Sequence, residues 1–290
     1  MKKFAVLTDS ACDIPAPLAQ EHHVEVLSFA IMLDGKQYSE REDLPPARFY
    51  ELLDAAQGMP TTSQITPMTF AQKFADYAAQ GVEELLYVAI NAGGSATYNN
   101  ALLAAADFAD SHPDSPMRIT VLDSHTYSMA YGRFVLRAAE KLAGGAEMCD
   151  VVDYLKNRFA HVEVVLSMHS LKIVKRSGRV SAAAAFVGEL MGLRPVITIV
   201  QGETKVVQKV RGDNKVLPAL AEHLQKNAGE RTPYMVGATK DINEKHGDAR
   251  ELAKLCEKVM GYPPECIFPL GAAVTSNTGT DAIALVYMRD

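Results

Sequence analysis

The side chains able to do chemistry in this sequence lie in four short polar segments. Thr61-Thr62-Ser63-Gln64 sits between two helical patterns, just after Gly58-Met59-Pro60 and before Thr66-Pro67. Thr8-Asp9-Ser10, Asn91-Ala92-Gly93-Gly94-Ser95 and Asp123-Ser124-His125 each follow a short apolar run directly. Hydroxyls, carboxamides and exposed backbone N–H groups hold polar head groups by hydrogen bonds. In a parallel α/β sheet the carboxyl ends of the strands share one edge, so turns of this kind converge on a crevice where ligands bind.

Two readings are open for most of these segments. The turn Asn91 to Ser95 can hold a carboxylate or phosphate on its N–H groups at a helix N-terminus, or it is a tight turn with Ser95 as the helix cap. It has neither a Gly-x-Gly-x-x-Gly fingerprint nor a Walker lysine. Thr66 supplies the cap for the helix after Thr61 to Gln64, which leaves Thr62 and Ser63 for another partner. Asp9 and Asp123 take the structural reading, an Asx-turn or a helix cap. His125 stands beside Asp123 and Ser124, but a triad is defined by geometry and the chain has no Gly-x-Ser-x-Gly elbow. No histidine pair has the spacing of metal ligands on one helix face, so no metal site is expected. Lys172, Lys175, Arg176 and Arg179 surround Ser177-Gly178; such a cluster is a solvated face, unless one arginine turns inward to fork a carboxylate. Arg211 is the first candidate for that role and Arg176 the second. Thr275-Ser276-Asn277-Thr278-Gly279 reads as a polar turn that either binds or reverses the chain.

The elements that must position these groups follow from periodicity. Lys3 to Leu7, Leu85 to Ile90 and Ile119 to Leu122 read as buried strands, and Val24 to Leu33 as one long extended run. Asp13 is placed as the cap of a helix from Ile14 to Glu21. Asp34-Gly35 signals a hairpin into Lys36 to Ser39. Helical faces follow around Phe49, Leu52 and Leu53, around Phe70, Phe74 and Tyr77, and over about 97–108 and 127–142. Strands separated by helices require crossovers and therefore a parallel sheet up to about residue 160. After it, strands at 162–167, 195–200, 205–210, 234–239 and 283–289 with a tight turn at Gln201-Gly202-Glu203 point to antiparallel pairing. Helices are expected at Ala182 to Leu190, whose small-residue start suits a close-approaching chain, at Lys215 to Lys226 and at Ile242 to Val259. The fold class is thus α/β in two domains, an N-terminal α/β domain with a parallel sheet at 1–160 and a C-terminal α+β domain with a mostly antiparallel sheet at 161–290.

The bulk properties narrow the function. With 290 residues, 48% hydrophobic and 22% charged, the chain has an ordinary globular composition. A net charge of −6 gives no general attraction to nucleic acid. The apolar stretch Phe4 to Leu7 is broken by Asp9 before a signal-peptide core forms, and no window reaches the length of a membrane span. A cytoplasmic protein is expected, with transient contact the only membrane association. Cys12, Cys149, Cys256 and Cys266 lack Cys-x-x-Cys spacing and are expected to be free thiols.

Taken together and in order, these residues resemble the DegV family, whose better-known members are fatty-acid-binding subunits of bacterial fatty acid kinase. The resemblance spans the whole length. It rests on Thr8-Asp9-Ser10 with Asp13, Phe49-Tyr50, Thr62-Ser63-Gln64, Ser95-Ala96-Thr97-Tyr98, Asp123-Ser124, Ser177-Gly178-Arg179-Val180-Ser181, Pro195, Arg211 and the Gly279 turn. It implies an acyl chain buried between two domains and a carboxylate held near the Thr62 and Gly93-Gly94 loops. It also implies that this carboxylate is presented to a kinase that makes acyl phosphate. The expected ligand site comprises Thr62, Ser63, Asn91, Ala92, Gly93, Gly94, Ser95, Arg176, Arg211 and Asn277, with no catalytic residue and no cofactor beyond the bound fatty acid. Several positions depart from the family pattern. Asn91-Ala92 replaces two serines, Asn277 a histidine, Thr280-Asp281 a Pro-Gly and Ile65 a proline. A carrier needs no nucleophile, and a buried chain contributes about 0.8 kcal/mol per methylene. The alternative class is a hydrolase or transferase using Asp9, Asp123 or His125 on a small anionic substrate.

Overall fold

The computed structural model describes residues 3–187, 192–240, 242 and 247–289. By Cα packing it divides into two compact units, Met1–Ala30 with Ser63–Phe159, and Ile31–Thr62 with Ala160–Asp290. The sequence suggested a single cut near residue 160; the packing instead groups 31–62 with the second unit.

In the first unit, β1 (Phe4–Asp9) leads through a 3-10 turn at Ser10–Cys12 to α1 (Ala16–Glu21) and β2 (Val24–Leu27). The extended run expected from Val24 to Leu33 is interrupted: β2 joins the parallel sheet, whereas β3 (Ala30–Leu33) pairs elsewhere, with β4 (Lys36–Ser39). Asp34 and Gly35 both have positive φ, 47° and 78°, as a two-residue hairpin turn between twisted strands requires. α2 (Pro46–Ala55) and β5 (Thr61–Ser63) follow, and β5 completes a three-stranded sheet in the order β4-β3-β5. The segment expected to be a loop at Thr61 is therefore largely strand.

The chain continues through α3 (Pro67–Ala79), β6 (Glu84–Ala89), α4 (Thr97–Ser111), β7 (Arg118–Asp123), α5 (Met129–Ala143) and α6 (Met148–His161). Thr66 caps α3 as expected, its side chain accepting the Thr69 N–H. Asp13 does not cap α1. It closes the preceding 3-10 turn in the left-handed region, with φ 53° and ψ 20°, and the N-cap of α1 is Pro15. All pairs in the sheet β2-β1-β6-β7 are parallel. β6 is central and buried along almost its whole length because helices cover both faces. The register sets Thr8 beside Val88 and Ala89 beside Asp123, so the ends of β1, β6 and β7 form one carboxyl edge.

The second unit contains β8 (Val162–Met168), α7 (Lys172–Ser177), α8 (Ser181–Ala184), β9 (Leu193–Val200), β10 (Glu203–Arg211), α9 (Val216–Asn227), β11 (Met235–Ala238), α10 (Asp248–Met260), β12 (Cys266–Pro269), α11 (Ala272–Thr278) and β13 (Ala282–Met288). Its sheet runs β10-β9-β8-β13-β11-β12, antiparallel except for the β11–β12 pair, which α10 connects in parallel. β12 had no counterpart in the sequence reading. The turn at Gln201-Gly202 has φ of 47° and 79°, the hairpin geometry its sequence suggests. The helix expected from Ala182 to Leu190 ends at Ala184, and 188–191 lie outside the described residues, as do 243–246 at the start of the helix expected from Ile242.

The polar turn expected at Thr275 to Gly279 is helix α11. Its side chains make the difference: Thr278 Oγ1 donates to the Val274 carbonyl at 3.2 Å and Asn277 Nδ2 to the Ala273 carbonyl at 2.8 Å. A polar sequence thereby folds back on its own helix backbone. At the N-terminal end the buried Glu40 carboxylate accepts the Ala273 N–H at 2.7 Å, which suits the positive end of a helix.

Candidate functional site

Parallel strand register places Asp9, the Asn91 turn and Asp123 along the carboxyl edge of the first sheet. Asp9 is fully buried and is the structural hub of this edge. Tyr131 Oη donates to its Oδ1 at 2.6 Å, while Tyr87 Oη at 3.1 Å and the Ile90 N–H at 2.8 Å donate to Oδ2. Burial pushes its carboxyl up to about 6, against the opposing pull of these donors and of the Ala11 N–H two residues on. Burial and the neighbouring Asp9 hold both tyrosines well above their ordinary range. Asp9 therefore ties β1 to β6 and α5, and the Ala11 contact is the Asx-turn that its sequence position suggests.

Asp123 does the same one strand further on. Its Oδ1 accepts the His125 N–H at 2.8 Å and the Ala92 N–H at 3.1 Å, and its Oδ2 lies 3.0 Å from His125 Nδ1. The imidazole is held at Nδ1 and more than half exposed. Ser128, which follows this turn, has φ 60° and ψ −149°, a strained conformation for a residue with a side chain, and its hydroxyl donates to the Asp13 carboxylate.

The turn from Asn91 to Ser95 is closed by its own groups. The N–H groups of Gly94 and Ser95 donate to the Asn91 carbonyl at 2.9 and 3.3 Å, that of Gly93 to Asn91 Oδ1 at 3.2 Å, and that of Ala92 to Asp123. Of the two readings open to this segment, the tight turn is the one adopted: its backbone donors are engaged within the chain, and Ser95 Oγ accepts the Thr97 N–H at 3.3 Å. Asn91 is buried, and its carboxamide donates to Tyr127 Oη at 2.8 Å. Tyr127 also explains Gly94, because a Cβ there would lie 2.5 Å from Tyr127 Oη. What the turn can offer a ligand is thus side chains and close approach.

The Thr62 segment is linked to this turn within the first unit. The Ile65 N–H donates to Thr97 Oγ1 at 3.2 Å, Asn100 Nδ2 donates to the Ile65 carbonyl at 2.8 Å, and Ser95 Oγ lies 2.9 Å from Thr97 Oγ1. Ser63 is exposed and Thr62 half-buried, and the division between units falls between them. Asn277 is half-buried on α11, with its carbonyl accepting from Ser177 Oγ at 3.1 Å beside Arg176. Arg176 ends α7 and Arg211 ends the edge strand β10, both exposed; among the described residues no hydrogen bond joins either side chain to Asn277. Sequence reasoning missed Tyr87, Tyr127 and Tyr131, whose hydroxyls organise the edge. The available signal is that a buried tyrosine hydroxyl requires a partner, which spacing does not reveal.

Other chemistry is sparse. A cavity of about 520 Å³ opens at the opposite, amino edge of the first sheet between Glu84, Arg118, Met148, Cys149 and Lys156, and includes none of the expected site residues. All four cysteines are free thiols. Among the described residues no cluster of three metal-ligating side chains occurs, and no helix is long and apolar enough to cross a membrane.

The fold and this edge define an α/β protein that pairs a parallel-sheet unit bearing polar turns with a unit built on a mixed, mostly antiparallel sheet. The sequence profile of the DegV family, described as uncharacterised proteins, matches residues 3–290. The chain belongs to the DegV family. A DegV domain-containing protein of Clostridium perfringens is 29% identical over 299 aligned residues, covering 100% of this chain and 99% of the relative. A DegV family protein from Thermus thermophilus, whose structure is described as showing fatty acid binding, is 27% identical with a TM-score of 0.86 over 99% of this chain and 100% of the other. A fatty acid binding DegV family protein from Streptococcus agalactiae superposes with a TM-score of 0.87 at 24% identity, covering 100% of both chains, and supports the fold.

Proposed function

We propose that this protein is a cytoplasmic carrier that buries the acyl chain of a long-chain fatty acid and presents its carboxylate to a partner kinase. The observation that carries the reading is the end-to-end likeness to the Thermus thermophilus protein described as fatty acid binding. The head group is held by side chains, with Thr62, Ser63, Ser95 and Asn277 as hydrogen-bonding groups and Arg211 and then Arg176 as cations. Asn91 and Ala92 shape the turn, and Gly93, which carries no side chain and is exposed, leaves the approach open. Engagement of the turn's own N–H groups supports this division of labour. Asn91 replaces an outward hydroxyl by an internal brace, which moves the demand for donors to other residues.

A carrier needs no reactive group, because burial of the chain itself supplies affinity, about 0.8 kcal/mol per methylene. Native mass spectrometry and organic extraction of freshly purified protein test the proposal. A long-chain carboxylic acid in roughly stoichiometric amount is expected, since burying a long chain slows dissociation. Protein that yields no lipid and binds no added fatty acid removes the carrier. Presentation is tested by adding a fatty acid kinase and ATP to the loaded protein and measuring acyl phosphate. The oriented Asp123–His125 pair favours one second reading, hydrolysis of a small anionic ester; turnover abolished by His125→Gln would establish it.

A further inference from the structure

Helix α11 carries four consecutive polar side chains, and three of them close on nearby backbone. Thr275 Oγ1 donates to the Leu270 carbonyl at 3.3 Å, Asn277 Nδ2 to that of Ala273 at 2.8 Å, and Thr278 Oγ1 to that of Val274 at 3.2 Å. Ser276 is different. It is 3% exposed, and its hydroxyl has no partner among the described residues. A serine inside a helix can donate to the carbonyl four residues back, which here is Ala272, and this one does not. Buried hydroxyls are nearly always paired, and alanine would both favour the helix and remove the unpaired group. A serine retained at such a position points to a partner that comes from outside the chain.

The surroundings indicate an anion. Next to Ser276, the Asn277 carbonyl is held by Ser177 Oγ at 3.1 Å, which fixes α11 against the end of α7, where Lys175 and Arg176 occupy the last turn. We propose that Ser276 Oγ donates a hydrogen bond to the carboxylate of the bound long-chain acid. This rests on the carrier reading and adds to it a residue on α11 that discriminates an acid from an uncharged head group. A hydroxyl bound to a carboxylate is worth more than one bound to a neutral oxygen.

The test compares delipidated full-length protein with its Ser276→Ala and Ser276→Cys variants, titrating each with a long-chain fatty acid and with the alcohol of the same length. Alanine should weaken binding of the acid on the order of 10- to 100-fold. It should affect the alcohol much less, and it should leave the melting temperature of the lipid-free protein unchanged or higher. Cysteine, a weak donor, should fall between. Acid affinity of Ser276→Ala within about twofold of the unmodified protein would overturn the assignment while leaving the carrier intact. Equal losses for acid and alcohol, with a lower melting temperature without lipid, would overturn it too, since the hydroxyl would then be serving the fold. Failure of the unmodified protein to bind any fatty acid would remove both readings together.

Discussion

Asp9→Asn offers the sharpest test of the electrostatics at the carboxyl edge. The carboxyl of Asp9 is raised from 3.8 to about 6 by burial. An acid whose pKa is higher in the folded state binds more protons folded than unfolded between those values, so its contribution to stability is complete below about pH 3.8 and declines as pH rises through about 6. The full span, 6 minus 3.8, corresponds to about 3 kcal/mol. Between about pH 4.5 and 7.5 the linkage relation gives roughly 2 kcal/mol of loss. Asparagine keeps the size but does not titrate, and its amide faces the donors of Tyr87 and Ile90, so its absolute stability will also shift. The informative quantity is the pH dependence of the difference between the two proteins. Hydrogen exchange of β1 and β6 amides across this range reports the stability of the first unit. The native protein should lose about 2 kcal/mol relative to Asp9→Asn as pH rises. Parallel curves, or a difference of the opposite sign, would show that the donors outweigh burial and refute the reasoning.

Three further outcomes are expected. Replacing Thr62 and Ser63 together by Ala should weaken fatty acid binding by about 1 to 3 kcal/mol while barely moving the lipid-free melting temperature, because neither hydroxyl is buried; a large stability loss with unchanged binding would make the segment purely structural. Arg211→Met should lower affinity for an acid more than for the matching alcohol, with Arg176→Met having a smaller effect, and equal losses in a calorimetric titration would remove the cation assignment. Gly94→Ala places a Cβ 2.5 Å from Tyr127 Oη. It should cost about 1 to 3 kcal/mol in urea unfolding, the price of overpacking, and unchanged stability would mean that Tyr127 swings away freely.

The candidate site was readable to the extent that local chemistry determined it. Thr66 had the position and hydroxyl of a helix cap and became one. Asp9 and Asp123 were readable as turn-forming aspartates, since each accepts an N–H two residues along. The number of long-range donors converging on Asp9 was not, because Tyr87 and Tyr131 lie 78 and 122 positions away. The Asn91 turn allowed two readings because its N–H groups could face inward or outward. Contacts with Asp123 and Tyr127, supplied by another strand end, favour the inward arrangement.

By itself the sequence determined the parallel first sheet, the two tight hairpins and the helix starts. Each depends on periodicity over a few residues or on residues such as Gly35 and Gly202 that adopt positive φ without strain. Tertiary structure decided where β3 pairs, that β12 exists beside β11, and that 31–62 packs with the second unit. A short strand has no identity until a partner accepts its hydrogen bonds. It also decided that Thr275 to Thr278 is helical. A run of threonine, serine and asparagine has little helical preference of its own, but Glu40, distant in sequence, engages an N–H of the first turn and Ser177 binds the last. The unpaired hydroxyl of Ser276 follows from that helix, and only the folded chain reveals it.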